Sequence, residues 1–157
     1  MTPEPQSSTA LLERIESAMR DAMRARDEQR TQTLRMAMAA AHNLRIERRR
    51  DLTDAEVVDV LGRQVKQRRE SIAMYRDAGR DDRAAAEEAE AAILAEFLPE
   101  QLADDEIERL ARAAIAETGA SSPSDMGKVM GRLSPQTRGR ADGRAVSEVV
   151  RRLLAEG

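Results

Sequence analysis

Apolar residues recur at steps of three and four along nearly the whole chain, a spacing that predicts helices. Leu11, Leu12, Ile15, Ala18, Met19, Ala22 and Met23 mark the face of a first helix. Leu34, Met38, Ala41 and Leu44 mark a second. The third has the clearest start: Thr53 and Glu56 have the spacing of a capping box, with Leu52 and Val57 in the flanking staple positions. Val57, Leu61, Val65, Ile72 and Tyr75 then share a face until Gly79, which suits a left-handed stop. Asp81 or Asp82 is expected to cap a fourth helix with Ala89, Ile93 and Phe97 inside. Pro99 ends it, because the residue before a proline is biased out of helical geometry.

The segment Leu98-Pro99-Glu100-Gln101-Leu102 is the expected domain boundary. Three shorter helices follow. Ile107, Leu110, Ala114 and Ile115 mark one, closed by Gly119; Met126, Val129, Met130 and Leu133 mark the next, opened by Ser122 as cap and Pro123 in the first turn. Val146, Val149, Val150, Leu153 and Leu154 form the stripe of the last, capped by Asp142. The expected fold is all-α: a disordered tail over 1–9, an N-terminal helical hairpin or bundle over 10–98, and a small three-helix domain over 99–157.

Composition supports helices and removes several function classes. Phe97 and Tyr75 are the only aromatic residues, and no β-branched or aromatic run suggests a strand. There is no Cys and one His, His42, which excludes disulfides and argues against a zinc site or any other metal. No apolar stretch approaches a membrane span and no signal-peptide layout opens the chain. A cytoplasmic protein without membrane partners follows as the expectation. The net charge of −3 is unevenly spread: residues 30–83 hold 13 basic against 9 acidic side chains, residues 84–120 hold 2 against 10, and residues 121–157 hold 7 against 4. Such asymmetry suits a polyanion partner for some surfaces and not others.

Candidate catalytic groups are sparse. His42 lies between Ala41 and Asn43 with no Ser or Cys pattern near it, and reads as a structural or surface histidine. Glu87, Glu88, Glu90, Asp104, Asp105 and Glu106 read as solvated faces and first-turn charges. Gly127-Lys128 lacks the Gly and Ser/Thr of a phosphate-binding loop, since Ser122 and Val129 stand in those positions. No catalytic residue and no cofactor is therefore expected. Non-catalytic phosphate binding remains. On the third helix Arg69, Arg76 and Arg80 project within roughly 40° of one another, with Lys66 and Arg63 further round. Arg138-Gly139-Arg140-Ala141-Asp142-Gly143-Arg144 runs through a glycine-flanked loop into a helix N-terminus, where free amides and guanidinium groups suit an anion. The plainer reading is that arginine is simply the default cation here, because Lys66 and Lys128 are the only lysines among 26 basic residues. Without aromatic platforms for stacking bases, RNA would be recognised through its folded backbone.

Val65-Lys66-Gln67-Arg68-Arg69-Glu70-Ser71-Ile72, Ala78-Gly79-Arg80, Phe97-Leu98-Pro99-Glu100-Gln101-Leu102, Asp125-Met126-Gly127-Lys128-Val129-Met130-Gly131 and Gly139-Arg140-Ala141-Asp142-Gly143 resemble the GatB/YqeY family, specifically its stand-alone YqeY-like members. The resemblance runs over roughly residues 10–155. It implies the two-part helical fold above, shared with the tail of the GatB component of the tRNA-dependent amidotransferase. There the tail contacts tRNA and the chemistry lies in other domains. It also brings a family-level description as a carbon–nitrogen ligase with glutamine as amido-N-donor. Carried over by motif, Lys128, Arg140 and Arg144, with Arg138 beside them, are the implied phosphate contacts. Asp125, Gly127, Gly139, Asp142 and Gly143 shape the site. Arg83 stands where the family usually has Leu, and Ala103 where Ser or Thr would cap. Three functions follow as expectations: a non-catalytic accessory protein binding tRNA or structured RNA; an adaptor for an amidotransferase or synthetase subunit; or a component of a carbon–nitrogen ligase needing a catalytic partner.

Overall fold

Seven α-helices and one 3-10 turn, with no strand, make up residues 10–157, the part that the computed structural model describes. The tail expected over residues 1–9 lies outside the described residues. The helices are α1 (Ala10–Arg24), α2 (Glu28–Arg48), α3 (Asp54–Asp77), α4 (Asp81–Ala95), α5 (Asp104–Thr118), α6 (Met126–Thr137) and α7 (Gly143–Glu156). The all-α expectation holds. The chain divides between Leu98 and Pro99 into two compact units.

In the first unit, α1 to α4 enclose a core that includes Ile15, Leu34, Leu52, Leu61, Leu94 and Phe97. The capping box forms: Thr53 Oγ1 accepts the Glu56 N–H at 3.2 Å, and Glu56 Oε1 accepts the Thr53 N–H at 3.0 Å. Leu52 and Val57 are both buried beside it. Asp54, the first residue of α3, also caps α1 by accepting the Leu11 N–H at 3.2 Å. Arg50 forks onto Glu56 at 2.7 and 3.1 Å and Arg48 adds a third contact at 3.0 Å, tying the end of α2 to the start of α3. The Arg50 guanidinium first, and then the Thr53 bonds of the box, hold the Glu56 carboxyl at about 2, down from its ordinary value near 4.5.

The apolar stripe of α3 contains a charge. Between Val65 and Ile72 the position facing inward is Arg68, which is 9% exposed. Its Nη1 donates to Glu90 Oε2 at 2.8 Å and Glu87 Oε2 at 3.3 Å on α4. Glu87 and Glu90 therefore turn inward, against the expectation of a solvated face. The buried residues of α4 are Ala84 and Leu94; of the predicted face Ala89 is exposed, whereas Ile93 packs half-buried against the core and Phe97 lies in it. Alanine lies on every side of α4, so its apolar pattern sets the helix rotation weakly and the two carboxylates dominate.

Three further expectations are corrected. Asp81 is the first helical residue of α4 and Arg80 holds the cap position without a side-chain bond. The Arg80 N–H closes back onto the Tyr75 carbonyl at 2.7 Å across Gly79 (φ 72°), so the hairpin turn itself starts the next helix. α4 stops at Ala95, leaving Phe97 buried from the following turn. Met23, assigned to the inner face of α1, is 51% exposed.

The second unit packs α5, α6 and α7 around Ala111, Val129, Leu133, Val146 and Val150. Gly119 closes α5 at φ 67°, and Ala103 precedes it with no side-chain cap. Ser122 and Pro123 open a 3-10 turn (Pro123–Asp125) ahead of α6. Asp125 accepts the N–H groups of Ser121 and Ser122 at 3.0 and 3.3 Å, and these bonds, the Ser121 one first, hold its carboxyl below the usual range. α6 passes through Pro135, which gives up the N–H that would reach the Gly131 carbonyl.

Two outcomes test this packing. Arg68→Met should cost about 3 kcal/mol in urea unfolding, because it strands two inward carboxylates, and adding Glu87→Gln and Glu90→Met should recover most of that. An Arg68→Met variant as stable as wild type would contradict the account. The folded Glu56 carboxyl lies below its unfolded value, so its contribution is full above about pH 4.5 and lost as pH falls towards 2. Over that window, urea midpoints for Glu56→Gln should fall less steeply than those of the wild type.

Candidate nucleic-acid interface

The corner between α6 and α7 carries three of the predicted site residues. α6 ends at buried Thr137, whose carbonyl accepts the N–H groups of Arg140 at 2.9 Å and Ala141 at 3.1 Å. Gly139 turns the chain with φ 75°, a conformation strained for a side-chain-bearing residue. Residues 100–102 brace the turn. The Leu102 N–H donates to the Arg140 carbonyl at 2.8 Å, and Gln101 Nε2 donates to the Gly139 carbonyl at 2.8 Å. Asp142 then caps α7 by accepting the Arg144 N–H at 3.2 Å. The amides of Gly143 and Ala145 belong to the same first turn, ahead of the point where helical bonding begins.

The three arginines have different roles. Arg140 is half-buried, and its Nε donates to the Glu100 carbonyl at 3.2 Å, so much of its donor set braces the loop. Arg138, at the end of α6, is exposed. Arg144 is 80% exposed in its side chain, with Glu148 at a distant 3.7 Å. Lys128 is not part of this corner. It sits in the first turn of α6, ten residues from Arg138, and a helical rise of about 1.5 Å per residue puts about 15 Å of axis between them. Its charge acts on Asp125 instead.

The predicted stripe on α3 is broken up. Arg80 lies beyond the end of α3, in the turn, where its Nε pairs with Asp82 at 3.4 Å. Arg76 pairs with Glu88 of α4. Lys66 is half-buried, and Arg69 is exposed with no partner among the described residues. Arg83 stacks over Tyr75 at 6.0 Å, giving that departure from the family pattern a packing role. His42 is exposed on α2. Sequence reasoning missed Arg48, Arg50 and Arg68. The signals are there to be read: Arg68 occupies the stripe position between Val65 and Ile72, and Glu87 and Glu90 stand three apart opposite it.

Among the described residues no group of three or more His, Asp or Glu side chains is placed to hold a metal ion. No described helix is long and apolar enough to cross a membrane.

A family model described as Yqey-like protein matches residues 12–154. The chain belongs to this family. A curated relative is the "Altered inheritance of mitochondria protein 41, mitochondrial" of Pyrenophora tritici-repentis (strain Pt-1C-BFP), 28% identical over 158 residues, covering 98% of this chain and 83% of the relative. Its name places that relative in mitochondria. The YqeY-like match spans both compact units, so the α6–α7 corner and the α3–α4 hairpin fall within the family's own extent.

The corner makes a divided prediction. Arg140→Ala should destabilise the second unit by roughly 1 kcal/mol through the lost brace, whereas Arg144→Ala should stay within about 0.5 kcal/mol of wild type. Thermal melts of the two variants check this, and equal effects would remove the distinction between bracing and exposed arginines.

Proposed function

We propose that this YqeY-like chain is a non-catalytic accessory protein that binds structured RNA, tRNA foremost, through the α6–α7 corner. The observation that carries the reading is the arrangement there. Exposed Arg138 and Arg144 flank a loop held in place by Gln101 and Arg140, next to the first-turn amides of α7. Guanidinium groups fork onto phosphate oxygens, and a helix N-terminus favours negative charge. A scarcity of aromatic side chains disfavours base stacking and leaves backbone shape as the feature to be read. The resemblance to the tail of the amidotransferase component favours tRNA among structured RNAs.

The same reading gives the chain no bond-making role. His42 stands exposed without a nucleophile beside it, and Glu87 and Glu90 are committed to Arg68. Carbon–nitrogen ligase activity with glutamine as donor would need a partner subunit to supply the nucleophile and the nucleotide site.

Anisotropy titration against bulk tRNA and a DNA duplex, at two salt concentrations, tests the proposal. Two to three phosphate contacts predict a log–log salt slope of about −2 to −3, with tRNA preferred and Arg138→Ala/Arg144→Ala weakening binding about tenfold or more. An unaffected double variant would move the site elsewhere, and absence of binding near physiological salt would overturn the RNA reading. Glutamine-dependent amide transfer by the pure chain is expected to be undetectable, and finding it would reinstate an enzyme.

A further inference from the structure

The second unit is electrically two-sided. α5 carries five acidic against two basic side chains, whereas residues 126–152 carry seven basic against two acidic, and α6 itself holds no Asp or Glu. Two ion pairs fix how these helices are turned. Arg132 of α6 meets Glu117 of α5 at 2.8 Å, and Arg152 of α7 meets Glu108 of α5 at 3.6 Å. Those flanks of α6 and α7 therefore face α5. Because all three helices pack around one core, the opposite flanks of α6 and α7 face each other.

At 100° per residue, Arg132 lies roughly 100° to one side of the buried Val129, Leu133 and Thr137 row, and Ser134 and Gly127 lie roughly 100–120° to the other. On α7, Arg152 lies roughly 145° to one side of the buried stripe, and Arg144 and Arg151 lie roughly 115–135° to the other. The seam between α6 and α7 is thus edged by two arginines on α7 and by small residues on α6. All four edge residues are exposed, and a Cβ at Gly127 would meet nothing within 4 Å. Arg151 has no partner among the described residues, and the Arg144 side chain has Glu148 at 3.7 Å.

We infer that the anion site at the α6–α7 corner continues along this seam to Arg151 and takes the backbone of one RNA strand, not an isolated phosphate. The inference rests on the RNA reading above and extends it. Arg144 and Arg151 stand seven residues apart, about 10 Å of helix axis. A strand of helical nucleic acid carries a phosphate about every 3.4 Å of its axis, so that separation spans about three successive phosphates. The small residues on α6 leave room for the strand while the α7 arginines fork onto it. A protein helix is disfavoured as occupant. Met23, Met36, Ile46 and Met74, the exposed large apolar side chains among the described residues, all lie in the first unit, leaving such a helix none to bury here.

Anisotropy titrations of the full chain against tRNA over a salt series test the extension. Arg151→Ala should reduce the magnitude of the log–log salt slope by about one, and Arg151→Lys should restore it. Ser134→Glu puts a carboxylate at the exposed α6 edge and should weaken binding about tenfold or more with the melting curve unchanged. Arg109→Ala, on the exposed face of α5, makes the same charge change and should leave the slope as it is. A wild-type slope in Arg151→Ala, or equal effects of Arg151→Ala and Arg109→Ala, would overturn the extension. So would displacement of tRNA by polyglutamate as readily as by unlabelled RNA. If only the extension is wrong, Arg138→Ala/Arg144→Ala still weakens binding; if the wild-type chain binds no tRNA, both readings fall together.

Discussion

A guanidinium removed from water must be met by anions, and the N-terminal unit is arranged around that requirement at Arg68. Its two carboxylate partners come from one face of α4, three residues apart, at 3.3 and 2.8 Å. Because desolvation offsets much of the attraction, the cluster adds little net stability over a well-packed apolar equivalent. What it supplies is orientation. Any other rotation of α4 would carry Glu87 and Glu90 away and leave Arg68 buried and unpaired, so the ion cluster fixes which side of an otherwise ambiguous helix faces α3. That rotation in turn places Leu94 in the core and brings Glu88 to Arg76.

Arginine does two kinds of work here, and the distinction organises the functional reading. Arg48 and Arg50 converge on Glu56, Arg68 on Glu87 and Glu90, and Arg140 on the carbonyl of Glu100. These brace corners between elements, where a planar donor fork reaches several acceptors at once. Arg35, Arg49 and Arg144 instead project from helix surfaces or ends. A count of basic residues cannot separate the two sets; only the acceptors around each one can. The α3 stripe illustrates this, since Arg76 and Arg80 both find acidic partners nearby.

Much of the helical plan is legible in the amino-acid sequence. Thr53-x-x-Glu56, Gly79, Gly119 and the Asp142 cap each mark a boundary by local backbone chemistry, and local chemistry survives folding. The stripes of α3 and α7 are readable because Val, Leu and Ile stand out from their neighbours. α4 misleads for the opposite reason: alanine contrasts little with anything, so the rotation is set by Arg68, a residue distant in sequence. At the α6–α7 corner, the glycine turn and helix start are visible in Gly139 and Asp142. The inward turn of Arg140 is not, because its acceptor comes from Glu100, forty residues earlier. Lys128 shares a family motif with these residues, yet helical rise carries it to the other end of α6.

The proposed role in RNA binding requires the α6–α7 corner to meet the RNA as a fixed basic surface. Hydrogen–deuterium exchange of the full chain with and without saturating tRNA addresses it directly. If RNA binds at that corner, adding tRNA slows exchange at residues 138–145 and leaves the backbone of residues 36–46 unchanged. Protection confined to residues 36–46, or no change at residues 138–145 under conditions where tRNA is demonstrably bound, would contradict it.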